Sequence, residues 1–392
     1  MSPAGGFVPP PYPYSRLSAV ATVAERHPGG MVDLSIGTPC DPPPDAVVSA
    51  LGSSGTERGY PASVGSPALR QAAAGWIRRR FGVDVDSARI GACVGTKEFV
   101  ATAAWFLRLR SPERDTVLAP AIAYPTYALS AQLAGCRAVA VPETPAGGLD
   151  LGQISEQDAA RAVMLWVNSP ANPTGSLTDL GAAASWGRAR DVPVFSDECY
   201  AEFTWAVWPP PTILHHGTDG LVAVHSLSKR SNLAGVRVGF YAGDADIVSF
   251  LSQIRQHAGL MVPGPVQAAA VVALDDDVHV EAQRHRYRRR LARLADALTA
   301  GGLEATVPAG TFYLWVAAPA WALAQGRTEG RDGAWVLAEA LAEAAGTLVS
   351  PGEFYGEAGA GHVRIAVVQP DERIDLVARR LAQSSDPRFS DR

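Results

Sequence analysis

Lys229 stands in Ser226-Leu227-Ser228-Lys229, eight residues ahead of Arg237, at the end of the apolar run Leu221-Val222-Ala223-Val224. An amine fixed on a short polar turn is a nucleophile once it loses its proton, and it condenses with carbonyl groups. The neighbouring serine hydroxyls and the guanidinium supply donors for a doubly charged phosphate. The chemistry that uses both is a Schiff base with pyridoxal phosphate (PLP). A solvated surface loop has the same composition, so the reading depends on whether the other parts of such a site occur elsewhere in the chain.

Several stretches offer such parts, each with a plainer alternative. Asp197, in Ser196-Asp197-Glu198-Cys199-Tyr200, follows an apolar run and is either a fixed anion for a ligand or a helix cap. Asn168-Ser169-Pro170-Ala171-Asn172-Pro173-Thr174-Gly175 follows another run, where a strand-to-helix turn needs Asn, Pro and Gly for backbone reasons alone. Gly95-Thr96-Lys97-Glu98 opens a helical run, so its free N–H groups and dipole meet a phosphate, or Thr96 merely caps the helix. Gly37 lets a ligand approach the backbone or only turns the chain. Tyr60, in a glycine-punctuated loop, either packs or contacts a ligand.

The elements that must position these residues follow an alternating pattern. Apolar runs at 116–119, 138–141, 162–167, 192–195 and 221–224 are separated mostly by segments of helical spacing. That pattern predicts an α/β fold whose mainly parallel sheet is covered by helices, with ligands bound at the carboxyl ends of the strands. The candidate residues sit at those ends. Ser66 and Pro67 predict an N-cap and first helical residue for a helix to about Arg80. Residues 262–300 read as helical, and their basic run, Arg284 to Arg290, as a solvated or ion-paired surface. After residue 300 a smaller α+β unit is expected, with a strand at 312–316, helices near 333–345 and 371–382, and strands near 347–349 and 362–368. We expect an N-terminal arm with part of the small domain at 1–45, the large domain at 46–270, the rest of the small domain at 271–383, and a disordered tail at 384–392. Pro9, Pro10, Pro11 and Pro13 predict that the arm lies over some other surface without regular helix.

Composition narrows the class. With 392 residues, 47% apolar and 19% charged, the chain is long enough for two domains and reads as soluble and globular. A net charge of −5 gives no electrostatic case for nucleic acid or an anionic membrane. The four cysteines are widely spaced and form no C-x-x-C pair, no metal site is expected, and the start lacks a signal peptide, so a cytoplasmic protein is expected.

Together the motifs resemble the aspartate aminotransferase superfamily of PLP enzymes, fold type I, from about Asp33 to Val368. Asn-Pro-Thr-Gly at 172–175, Ser-Asp-Glu-Cys-Tyr at 196–200, Ser-Leu-Ser-Lys at 226–229, Arg237 and Val-Arg-Ile-Ala at 363–366 occur in the family's order. The resemblance implies a large domain with a seven-stranded sheet and a smaller α+β domain. It makes Lys229 the Schiff-base lysine and proton carrier, and Asp197 the partner of the pyridine nitrogen. It assigns Asn172 and Tyr200 to the ring oxygen and Tyr124 to the ring face. The Thr96 and Lys97 backbone, Ser226, Ser228 and Arg237 would hold the phosphate, with Tyr60 reaching it across a homodimer. Arg364 and Gly37 would hold the substrate carboxylate, Asn172 lying beside them.

Finer stretches, among them His257-Ala258-Gly259-Leu260-Met261-Val262-Pro263 and Pro351-Gly352-Glu353-Phe354-Tyr355-Gly356, are similar to the succinyldiaminopimelate aminotransferases of actinobacteria. This implies amino transfer from N-succinyl-LL-2,6-diaminopimelate to 2-oxoglutarate, by a ping-pong exchange through pyridoxamine phosphate, in lysine biosynthesis. A pathway-specific aminotransferase with another donor shares every residue named, and a PLP carbon–sulfur lyase of the same fold is a further alternative. A non-enzymatic regulator is disfavoured by the intact Lys229. The proline-rich opening, Phe7 to Tyr14, departs from the family's usual start.

Overall fold

The computed structural model describes residues 7–145 and 147–389. Its centre is a seven-stranded sheet of β1 (Ile90–Cys93), β2 (Thr116–Pro120), β3 (Arg137–Val141), β4 (Ala162–Asn168), β5 (Val194–Asp197), β6 (Leu221–Ser226) and β7 (Gly239–Gly243). The spatial order is β1-β7-β6-β5-β4-β2-β3, and only β7 runs against its neighbours. β4 is buried at every position, as a continuous Ala-Val-Met-Leu-Trp-Val run requires when helices cover both faces. Parallel pairing sends the carboxyl ends of β2 to β6 to one edge, where Asn168, Asp197 and Ser226 emerge together.

Local chemistry sets the covering helices. Ser66 caps Pro67–Phe81 by accepting from the Leu69 N–H at 3.2 Å, and Gly82 ends it at φ 72°. Asp179, Asp244 and Asp332 cap three further helices. The helix Thr96–Arg110 differs, because its N-cap is Gly95, at φ 77°, and no side chain serves its first turn.

The second unit packs the antiparallel strands Ser350–Pro351, His362–Ala366 and Tyr313–Ala317 with the helices Val278–Ala300, Gly333–Ala345 and Asp371–Gln383. Leu17, Val20, Ala24, Val32 and Leu34 share this core, and Val32–Asp33 pairs in parallel with Thr347–Leu348. The start of the chain is thus built into its end.

Four expectations need correction. The boundary at 270/271 cuts the helix Gly264–Asp275, whose buried Ala269, Ala270, Ala273 and Leu274 belong to the large-sheet core. The helical span 262–300 is two helices, broken between Asp275 and Val278. The tail is not disordered over its described part: Phe389 is buried against Trp321, and Arg388 pairs with Asp386 and Glu343. Residues 390–392 lie outside the described residues. Within the basic run Arg290 is buried, because Asp41 and Asp371 both neutralise it. Among the described residues no helix is long and apolar enough to cross a membrane, and no acidic, His or Cys cluster could hold a metal.

Candidate active site

A cleft of about 430 Å3 opens at the carboxyl edge of the sheet and is lined by every predicted site residue except Tyr60. Lys229 reaches it from the helical turn Leu227–Arg230, which Ser226 caps by accepting the Ser228 N–H at 3.1 Å. The Lys229 ammonium donates to the Gly37 carbonyl across the cleft. Burial pushes its pKa down to about 8, against smaller opposing pulls from Cys199 and Asp197. A neutral, nucleophilic amine is therefore accessible near physiological pH.

Asp197 closes β5 and is held from two sides. The Tyr127 hydroxyl donates to its Oδ2 at 2.7 Å, and the Cys199 N–H donates to its Oδ1 at 3.1 Å. Burial and the adjacent carboxylate push the Tyr127 hydroxyl well above its ordinary pKa, so it stays a donor. The Asn168 amide donates to the Asp197 carbonyl at 2.9 Å, and its own oxygen accepts the Asn172 N–H at 2.7 Å. Asn172 is thus fixed by β4 and β5 together.

The donors for a phosphate converge opposite. Gly95 starts the helix of Thr96 and Lys97 without a side-chain cap, and a Cβ on it would overlap the Arg237 guanidinium. Arg237 takes a φ of 60° and donates to the Ala234 carbonyl at 2.8 Å. Ser226 and Ser228 line the same cleft, as does Tyr124 from the segment after β2. An uncapped helix N-terminus, hydroxyls, a guanidinium, an anion and a low-pKa amine fit PLP. PLP supplies the electron sink for the reacting Cα when bound.

On the other side Arg364 is 2% exposed, its guanidinium 4.1 Å from the Tyr313 ring centroid and 4.8 Å from that of Tyr355. It donates to Asn172 Oδ1 at 2.9 Å, the Ser35 carbonyl at 2.6 Å and the Tyr14 hydroxyl at 3.2 Å. The Tyr200 and Tyr313 hydroxyls are 3.0 Å apart. Gly37 has a steric reason to be glycine, since a Cβ there would collide with the Tyr313 hydroxyl. Four cations, Lys97, Lys229, Arg237 and Arg364, face one carboxylate, Asp197, around the cleft. An acidic chain has gathered a basic pocket.

Tyr60 is fully exposed and borders a different hollow, beside Ser63, Ser252 and Gln256. Several contributors were not predicted as site residues: Tyr127, Asn168, Tyr14 and Tyr313. Tyr127 lies three residues beyond Tyr124 and Asn168 four before Asn172, so proximity to the motifs was their only signal. Tyr14 and Tyr313 become neighbours only through the tertiary fold.

The family described as aminotransferase class I and II matches residues 29–381. This chain belongs to that family. The aminotransferase is 42% identical to the 4-dedimethylamino-4-oxo-anhydrotetracycline transaminase OxyQ of Streptomyces rimosus, over 95% of this chain and 99% of the relative. It is 40% identical to the probable aminotransferase Rv1178 of Mycobacterium tuberculosis, over 95% of this chain and 85% of that one. Among solved structures it is similar to N-succinyldiaminopimelate aminotransferase from Mycobacterium tuberculosis, at 29% identity and a TM-score of 0.79, covering 94% of this chain and 96% of that chain. The aminotransferase fold is therefore that of PLP fold type I, and PLP is the family's cofactor.

Proposed function

We propose that this aminotransferase moves an amino group from N-succinyl-LL-2,6-diaminopimelate to 2-oxoglutarate. The carrying observation is the pair of cations left over once a phosphate is assigned to Arg237 and the Schiff base to Lys229. Arg364 and Lys97 both line the cleft, and neither pairs with a carboxylate among the described residues. Both proposed substrates carry an α-carboxylate or its keto-acid equivalent and a further carboxylate, which suits two separated cations.

The chain's residues divide the work. Arg364 orients the substrate by its α-carboxylate, with the Gly37 backbone beside it. Lys229 Nζ would carry the proton between the substrate Cα and the cofactor carbon that holds the amino group, in one direction in the donor half-reaction and in the reverse direction in the acceptor half. Asp197 holds the proton on the ring nitrogen, and Tyr127 holds Asp197. Asn172 and Tyr200 face the ring oxygen, Tyr124 the ring face, and the Thr96–Lys97 backbone, Ser226, Ser228 and Arg237 the phosphate. Tyr60, turned away from its own cleft, contributes to that of a partner subunit in a homodimer.

A second reading has its own support. The tyrosines around the cleft and the 42% identity to a transaminase named for a polycyclic ketone favour a bulky aromatic partner substrate. Purified protein with candidate donors and 2-oxoglutarate separates the two by glutamate formation. Rapid turnover of succinyldiaminopimelate supports the first; turnover of aromatic or alanine-like donors alone overturns it. Release of ammonia without a keto acid would mark a lyase instead.

A further inference from the structure

The proline-rich arm has no part in the roles assigned so far, yet it touches them. It is pinned on the second unit, where Leu17 is buried, Arg16 pairs with Glu353 at 2.6 Å, and Tyr14 meets the Phe354 ring edge-on at 5.6 Å. From there it crosses the cleft, placing the Tyr12 ring 5.3 Å from the Lys97 ammonium on the opposite bank. Tyr12 and Tyr14 both line the cleft.

The Tyr14 hydroxyl occupies a specific place. It accepts from Arg364 Nη2 at 3.2 Å and lies 2.9 Å from the Tyr355 hydroxyl, a partner for its own hydrogen. Asn172 and Ser35 take two other Arg364 hydrogens, while Arg364 Nε is buried without a partner among the described residues. A guanidinium fork binds a carboxylate well only when its plane is fixed, and the acceptors around it fix that plane. Three points of attachment set this fork, and one comes from the arm.

We propose that Tyr14 is a positioning residue for the carboxylate clamp, so that the arm Phe7–Tyr14 forms a working wall of the substrate site. The inference rests on Arg364 as the clamp and not on the identity of the amino donor. It concerns the hydroxyl rather than the ring, because the ring is held independently by Phe354 and Tyr12.

The test uses the PLP-loaded enzyme carrying Tyr14→Phe, which keeps the ring. Glutarate, a dicarboxylate without an amino group, is titrated against the cofactor's visible absorption, and PLP retention and thermal midpoint are measured alongside. A lost hydrogen bond to a charged group predicts that the glutarate Kd rises about tenfold, with PLP retention unchanged and the thermal midpoint lowered by no more than about a few degrees. The KM for whichever donor turns over should rise in parallel, with kcat less affected. An unchanged Kd overturns the inference, and so does weakened PLP retention, which would make Tyr14 a general support. Arg364→Lys run in parallel must also weaken glutarate; if it does not, the clamp assignment fails and the arm's role falls with it. The titration needs no turnover, so a wrong amino donor cannot imitate either result.

Discussion

The floor of the cleft and its wall solve the same problem, holding polar groups still, by different means. On the floor each group stands at or just beyond a strand end: Asp197 closes β5, Ser226 closes β6, Asn168 closes β4, and Thr96 follows β1 by one turn. Neighbouring strands share hydrogen bonds, so each end fixes the next. The wall joins residues from opposite ends of the chain: Tyr14 meets Tyr355 and Ser35 meets Arg364, while Gly37 reaches across to Lys229 on the floor. Floor lesions should therefore damage chemistry for every substrate, whereas wall lesions should change how tightly a carboxylate is held.

The largest test strikes the floor. Lys229→Ala removes the proton carrier and should lower transamination about ten-thousandfold, read as glutarate-insensitive loss of kcat in both half-reactions. Near-normal turnover would break the floor as described. Asp197→Ala should retain PLP but slow the reaction about a thousandfold, since one preorganised charge at a reacting group is worth that much. Equal loss of PLP and activity would instead make Asp197 a binding residue only.

On the wall, Arg364→Lys keeps the charge but loses the planar fork, and should raise the donor KM by about 10- to 100-fold, with a smaller fall in kcat. A larger kcat effect than KM effect would erase the distinction between the two regions. Tyr127→Phe probes the floor more gently: removing the donor to Asp197 should cost about tenfold in kcat and leave KM unchanged.

The smallest effect is on stability. The folded Lys229 pKa of about 8 lies below the unfolded lysine value of about 10.4. Between those values the unfolded chain binds more protons, so stability rises with pH through that window, and the full penalty applies below it. In cofactor-free protein, the advantage of Lys229→Met over wild type in thermal midpoint should shrink as pH rises through the window. A constant difference would place the lysine outside the buried environment described.

The same division explains what the sequence disclosed. The β-runs and turn motifs placed the floor because strand, turn and ligand group are contiguous in Ser-Asp-Glu-Cys-Tyr and Ser-Leu-Ser-Lys. The pairing of Arg364 with Asn172 was legible only through family resemblance, as 192 residues separate them. Tyr14 and Tyr313 were not legible at all, since a tyrosine beside prolines or on an apolar strand looks like packing until the fold supplies its partner. The tail failed for a related reason: Phe389 is one apolar residue in a polar stretch, and its anchor, Trp321, lies 68 positions earlier.

The surplus of cations around the cleft has a practical consequence at the bench. Phosphate and sulfate are small polyanions that such a pocket attracts at the concentrations used to hold pH, and a phosphate buffer would compete both with the cofactor's own phosphate and with carboxylate substrates. Affinities measured in a zwitterionic buffer should be the tighter ones, and apparent KM values should climb in proportion to added inorganic phosphate.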